Sequence, residues 1–299
     1  MQLLTRNTIE SPTSKFDHLV KQHPCYSAEA HKVHGRIHLP VSPACNIRCR
    51  FCKREFDSVT DRPGVSRAVV APEDAIGLVE RALDLCPQIT VVGVAGPGES
   101  LATGHALKAL SLVHGAFPDL IGCLSTNGLR LAENVDGIVG AGVKTVSVTV
   151  NAVDPATLVR INGGIVMNGR LIDGMEGAEI LIEAQLEGIR RASRAGLIVK
   201  TNAVLIPGLN DGSIGEIAGA VAAAGASMMN VIPLIPNHEL AFVPAPDCSL
   251  LNEARSAAEQ HLPVFRHCRH CRADACGIPG QKDFADELYD RRLETFSHG

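Results

Sequence analysis

The feature that most limits what this chain can fold into is an alternation of two kinds of segment. Runs rich in β-branched and other apolar residues at 36–41, 89–95, 120–125, 145–151, 198–206 and 228–234 are separated by Ala-, Leu- and Glu-rich stretches, clearest at 72–86, 104–117, 178–195 and 215–224. The first set reads as strands and the second as helices. Strands that run apolar without alternating are buried on both faces, and strand–helix alternation puts helices on those faces with a parallel sheet between them. Six such βα units are expected to form an α/β fold, an incomplete (βα)6 TIM-like barrel; a doubly wound sheet is the competing architecture. In either, chemistry belongs to the loops that follow the strand C-termini.

The first of those loops carries the most demanding chemistry. Cys45, Cys49 and Cys52 lie in Ser42-Pro-Ala-Cys-Asn-Ile-Arg-Cys-Arg-Phe-Cys52 with CX3CX2C spacing. Thiolates bind soft metals, and a zinc or ordinary iron–sulfur site completes its set with a fourth local ligand. No further cysteine follows here before Cys86. Three thiolates on a cubane leave one iron open to a substrate ligand, so these three are the candidate catalytic and metal-binding residues. The next loop, Gly93-Val-Ala-Gly-Pro-Gly-Glu99, has glycines, Gly96 and Gly98 among them, that let backbone approach a ligand, and Glu99 can accept a hydrogen bond. Ser125 and Asn127 close the third strand, Asn151 the fourth, and Ile206-Pro-Gly-Leu-Asn-Asp211 follows the fifth. Taken singly, each is equally a turn or a cap.

Ten cysteines, in a chain whose start has no apolar run of signal-peptide length, read as metal ligands or buried thiols in a cytoplasmic protein rather than as disulfides. Further candidate ligands are Cys25, the histidines His31, His34 and His38, and Cys268 and Cys271 in Cys268-Arg-His-Cys-Arg-Ala-Asp-Ala-Cys276. That CxxC also reads as half a zinc site. Cys123 and His38, each inside a strand, read alone as core residues. The absence of Trp, an aromatic share of 3% and a net charge of −4 exclude a base-stacking or broadly basic nucleic-acid surface. The most apolar later window, 219–236, is broken by Gly and Pro, so no membrane span is expected. A small-molecule or cluster substrate is the expectation.

The cysteine spacing resembles that of radical S-adenosylmethionine (SAM) enzymes, in which SAM's amino and carboxylate groups fill the open iron; Phe51 suits them too. Further segments extend the likeness: His23-Pro-Cys-Tyr-Ser27, Arg62-Pro-Gly-Val65, Ala95-Gly-Pro-Gly98, Cys123-Leu-Ser-Thr-Asn-Gly128, Val148-Thr-Val-Asn-Ala-Val-Asp154, Leu205-Ile-Pro-Gly-Leu-Asn-Asp211 and Cys268-Arg-His-Cys-Arg-Ala-Asp274. With them the chain resembles the NifB family from about residue 18 to 280. That resemblance implies three [4Fe–4S] clusters: one on CX3CX2C and two substrate cubanes, which are fused around a SAM-derived carbide, with added sulfur, into the eight-iron NifB-co precursor of the nitrogenase cofactor. It implies that Cys25, His38, Cys123, Cys268 and Cys271 hold the substrate cubanes. It also implies SAM contacts from Gly96, Gly98, Glu99, Ser125, Asn127 and Asn151, with Ile206 against adenine. Carrier or scaffold proteins of nitrogenase assembly and an electron donor are the implied partners, with no nucleic acid and no membrane.

The expected organisation is an N-terminal extension (1–35), the barrel (36–236) and a C-terminal extension with the CxxC (237–299). One departure stands out. The family's Tyr-Asp-Cys-Val is Phe56-Asp-Ser-Val59 here, so Ser58, a poor soft-metal ligand, replaces a thiolate. Cys276 is either a substitute ligand or a bystander; Cys86 and Cys248 are expected to be structural. Another radical SAM enzyme with auxiliary clusters would share the barrel but carry a longer cysteine-rich domain. A non-enzymatic iron–sulfur scaffold would hold iron without cleaving SAM.

Overall fold

In the computed structural model, which describes residues 17–289, the six expected strands form. They are β1 (Gly35–His38), β2 (Ile89–Val94), β3 (Ile121–Thr126), β4 (Val143–Thr149), β5 (Ile198–Leu205) and β6 (Met228–Pro233). They lie side by side in chain order and all run parallel. β1 stops before the expected residue 41, and Pro40, with no N–H to give a ladder, lies just beyond its end. Helices Ala75–Leu85, His105–Ala116, Leu131–Gly140, Gly174–Arg194 and Ile214–Ala224 follow the strands. The helix at Leu131–Gly140 was not expected, because its apolar stripe is short and Gly137 and Gly140 dilute it. The curled parallel sheet with its helices is an incomplete TIM-like barrel.

The two faces of this sheet differ, which corrects the expectation of strands without alternation. Val94, Leu124, Val146 and Val199 are in register across four strands and buried, in one core with Leu78, Leu110, Ile138 and Ile189 of the helices. Each such Leu or Ile side chain contributes roughly 1.5–3 kcal/mol by its burial. The residues between them face inward and are largely polar: His38, Gly93, Cys123 and Thr145 form one row, and Ser125, Ser147 and Lys200 the next. Both faces are buried, but period two persists, with apolar residues outside and the polar ones within.

Two further pieces were not expected, and both position the site. A hairpin of Asn162–Met167 and Arg170–Ile172 turns at Asn168-Gly169, both with positive φ (51° and 74°), as a two-residue loop of this type requires. Its first strand pairs antiparallel with Ile47–Cys49, so the cysteine loop is itself held as sheet. At the other edge β7 (Cys276–Gly277) runs antiparallel to β1, with Ile37 opposite Cys276, and draws the C-terminal tail against the first barrel strand. No helix among the described residues is long and apolar enough to cross a membrane.

Candidate active site and cluster pocket

The loops after β1 and β2 are built against each other. Gly98 N–H donates to Ser42 O at 2.9 Å and Glu99 N–H to Ala44 O at 2.7 Å. A Cβ on Gly98 would stand 2.2 Å from Ala44 O, so only glycine lets these backbones meet. Gly96, with φ of 129°, packs towards Ala273 of the tail. Within this frame the three thiols of the motif lie close enough to feel one another. Burial, then the charges of Cys52, Cys45 and Glu99, push the Cys49 thiol well above its ordinary value, and burial pushes Cys45 up to about 11.

Glu99 is 5% exposed, and its carboxylate is saddled by Thr126 Oγ1–H, Leu101 N–H (3.1 Å) and Asn127 N–H (2.7 Å). Burial raises its pKa against the pull of those bonds. Two carboxylate oxygens offer about four acceptor positions, so about one remains for a ligand. Asn127 donates from Nδ2 to Asn46 Oδ1 at 2.7 Å, and the Nδ2 of Asn46, beside Cys45, is buried with no partner. Asn151 Oδ1 accepts from Val204 N–H at 2.9 Å, tying β4 to β5. Ile206 is fully buried in a second core cluster with Leu158 and Ile161. The side chains of Asn127, Asn151 and Ile206 are thus engaged within the protein, while Ser125 faces the barrel interior level with Lys200. These residues fit a cluster with SAM: three gathered thiols, an orphaned buried donor at Asn46, and spare acceptor capacity at Glu99 suit a ligand bearing both a carboxylate and an amine.

A second group lies deeper in the same barrel, with Cys123 two residues, about 7 Å, below Ser125 along β3. His38, Gly93 and Cys123 are in register, and a Cβ on Gly93 would stand 3.3 Å from the His38 ring and 3.6 Å from Cys123 Cβ. The glycine therefore keeps space between two candidate ligands. His38 Nδ1–H donates to Arg272 O at 3.0 Å, which fixes the tautomer and leaves the Nε2 lone pair free. Burial, then Arg36, lowers the His38 pKa to about 4, so the ring is neutral. Burial drives the Cys25 thiol up to about 12; Lys200 opposes this, and Cys271, Cys123 and Cys268 add to it. Cysteines of the N-terminal segment, the third strand and the tail thus lie within reach of one another's charge. Arg36 donates to Cys271 Sγ at 3.2 Å. No three described His, Cys, Asp or Glu side chains are gathered tightly enough to hold a single metal ion; a cubane spreads its ligands over separate irons.

The remaining cysteines lie elsewhere. Cys276 is fully buried in the outer core, and Cys86 is a member of the same cluster. Cys248 is exposed at the start of the helix Cys248–Glu259. Of the histidines, His31 bonds Pro24 O at 2.8 Å and packs on Phe265, a structural role.

The Radical SAM superfamily matches residues 39–221. The chain is 42% identical over 281 residues to the FeMo cofactor biosynthesis protein NifB of Methanocaldococcus infernus, covering 93% of each. It belongs to the NifB family. A second NifB relative, from Methanocaldococcus jannaschii, is 40% identical over 295 residues, covering 95% of this chain and 98% of the other. A solved radical SAM methyltransferase from Sphaerobacter thermophilus shares the fold at a TM-score of 0.52 and 18% identity, over 77% of this chain and 64% of that one. The chain is a radical SAM enzyme, and its family implies a [4Fe–4S] cluster and SAM.

The departure from the NifB pattern now has a setting. Ser58 is exposed in a turn made by Asp57 Oδ1, which accepts from the N–H groups of Val59 (2.8 Å) and Thr60 (2.6 Å). Arg272, the residue after Cys271, donates to Asp57 O at 2.7 Å and to Thr60 O, tying this turn to the tail. Ser58→Cys is expected to raise the iron retained per chain after anaerobic reconstitution, because it adds a soft ligand beside the CxxC segment. Equal iron in the two proteins would exclude this turn from the cluster site.

Proposed function

We propose that this enzyme is a carbide synthase: it fuses two substrate [4Fe–4S] clusters with a SAM-derived carbon and an added sulfur into the eight-iron NifB-co precursor of the nitrogenase cofactor. The observation that carries the reading is that Cys25, from the N-terminal segment, lies close enough to Cys123, Cys268 and Cys271 to feel their charge, while His38 faces Cys123 across Gly93. The FeMo cofactor biosynthesis role in the relatives' names supports it. When bound at Cys45, Cys49 and Cys52, the resident cluster with SAM supplies a one-electron cleavage, a deoxyadenosyl radical and a methyl carbon.

The chain's own part is position. Gly98 sets the distance between the two upper loops, Glu99 and Asn46 orient the amine and carboxylate of the ligand, and the buried inner face keeps water from a reactive carbon. His38 offers a neutral Nε2 to a substrate cubane, and the flanking thiols hold such cubanes below the upper site. Residues 1–35 and 237–299 act in this reading as ligand-bearing arms around the barrel of 36–236, and cytoplasmic iron–sulfur carriers and an electron donor are its partners. The test is anaerobic incubation of the full chain with dithionite and methyl-labelled SAM. Label recovered in an iron–sulfur product is expected. 5′-Deoxyadenosine without labelled product would favour another radical SAM reaction, and neither product would leave only a scaffold.

A further inference from the structure

Lys200 lies on the inner face of β5 and is 6% exposed. No carboxylate among the described residues pairs with it. Its Nζ donates to Cys25 O at 3.2 Å and sits over the rings of Tyr26, 4.8 Å from the centroid, and Phe265, at 5.8 Å. A buried ammonium without a counter-ion is costly, and a carbonyl and two ring faces offset only part of that cost. The groups that feel its charge are His23 and three candidate cluster ligands: it favours the thiolates of Cys25 and Cys123 and the neutral rings of His23 and His38. It is a cation set among thiols rather than among acids.

We propose that Lys200 is the fixed counter-charge of the substrate cluster held between Cys25, His38 and Cys123. This rests on the cluster pocket proposed above and assigns a positioning residue within it. With two thiolates and a neutral imidazole, a [4Fe–4S] cube is neutral while its core is 2+ and carries one negative charge once reduced. In both states it presents sulfides as hydrogen-bond acceptors, so the ammonium is the counter-charge of the reduced cube. An ammonium carries three donors, of which Cys25 O takes one. The remaining two are available to sulfide, and the bond to Cys25 O holds one ligand's backbone in place. Net charge and hydrogen bonds to sulfur set the potential of such a cluster, so the lysine acts on both its retention and its midpoint.

The test uses the full chain with Cys45, Cys49 and Cys52 replaced by Ala, so that only the outer sites load, reconstituted anaerobically with ferrous iron and sulfide. Lys200→Met is expected to retain at least tenfold less cluster than this parent. The midpoint of any cluster that remains moves negative by about 60 mV, a tenfold change in a one-electron equilibrium. Lys200→Arg keeps the charge and restores most of the iron. Iron-free Lys200→Met melts at or above the parent, because an unpaired buried charge has been removed. Equal iron and an equal midpoint in Lys200→Met and parent would overturn the proposal and leave the pocket intact. A lowered iron-free melting temperature that Lys200→Arg does not restore would assign the residue to folding and overturn it too. A parent that binds no iron would overturn the pocket itself and the proposal with it.

Discussion

Gly98→Ala is expected to lower SAM cleavage by the reconstituted enzyme about a hundredfold or more while leaving the barrel folded. The added Cβ would stand 2.2 Å from Ala44 O, 2.7 Å from Ala44 C and 2.9 Å from Ser42 O, and all three are backbone atoms that no rotamer change can move. Relief requires the two loops to part by about 1 Å, which also breaks the bonds from Gly98 N–H to Ser42 O and from Glu99 N–H to Ala44 O. Displacements of that size in a positioning contact cost on the order of 10²-fold in rate. The strands beneath bear none of the strain, so far-ultraviolet dichroism should be unchanged. Gly115→Ala, in a helix with nothing within 4 Å of the new Cβ, is the matched control and should cleave SAM at the parent rate. Formation of 5′-deoxyadenosine by Gly98→Ala within twofold of the parent would show that these loops need not touch.

Asp274→Ala should be the most destabilising change in the tail, by about 3–5 kcal/mol in chemical denaturation. The side chain is fully buried and accepts from Arg272 Nε (2.9 Å) and Nη2 (3.2 Å), from Arg67 N–H (2.7 Å) and from Arg67 Nη1 (3.1 Å). Its removal leaves buried Arg272 with only a more distant carboxylate, Asp57 Oδ1 at 3.9 Å from Nη1, and the poorly compensated charge is most of the cost. Burial alone would raise the Asp274 carboxyl, but Arg272 and Arg67 hold it below the ordinary carboxylate range. A lowered folded pKa means that its stabilisation is complete above the ordinary carboxylate value and is lost as pH falls through the lowered one. The gap in stability between parent and variant is therefore expected to be constant near neutrality and to shrink in strong acid. A gap that stayed constant into strong acid would show that the carboxylate's charge is not the source. Retained iron should fall with stability, because the same clasp seats the segment that carries Cys268 and Cys271.

Much of the barrel was legible from residues near one another in the chain. The six strand runs were placed to within a few residues, since β-branched runs and turn residues act locally. The two-residue periodicity of β3 to β5 was present as well, in Cys123 and Ser125, Ser147, and Lys200 and Asn202. It passed for a uniform apolar run because Val, Leu and Ile fill the positions between. The Asn168-Gly169 turn signalled a hairpin, but nothing local tied that hairpin to the cysteine loop. β7 has two residues and exists only through its pairing with β1, so no pattern could announce it.

The α/β class, the three-thiol loop after the first strand and the family can be read from the chain alone, because each depends on spacing within one segment or on motif order. Which scattered residues meet is set by how the chain folds back on itself. The register of β1, β2 and β3 places His38 and Cys123 on either side of Gly93, and β7 brings the tail back across β1. The fold of the N-terminal segment sets Cys25 over Lys200. Pairing of the tail with β1 turns Cys276, two residues from Asp274, into the apolar core. The strand registers among these outcomes join segments that are distant in the chain, and a shift of one residue in them would turn every inward side chain outward.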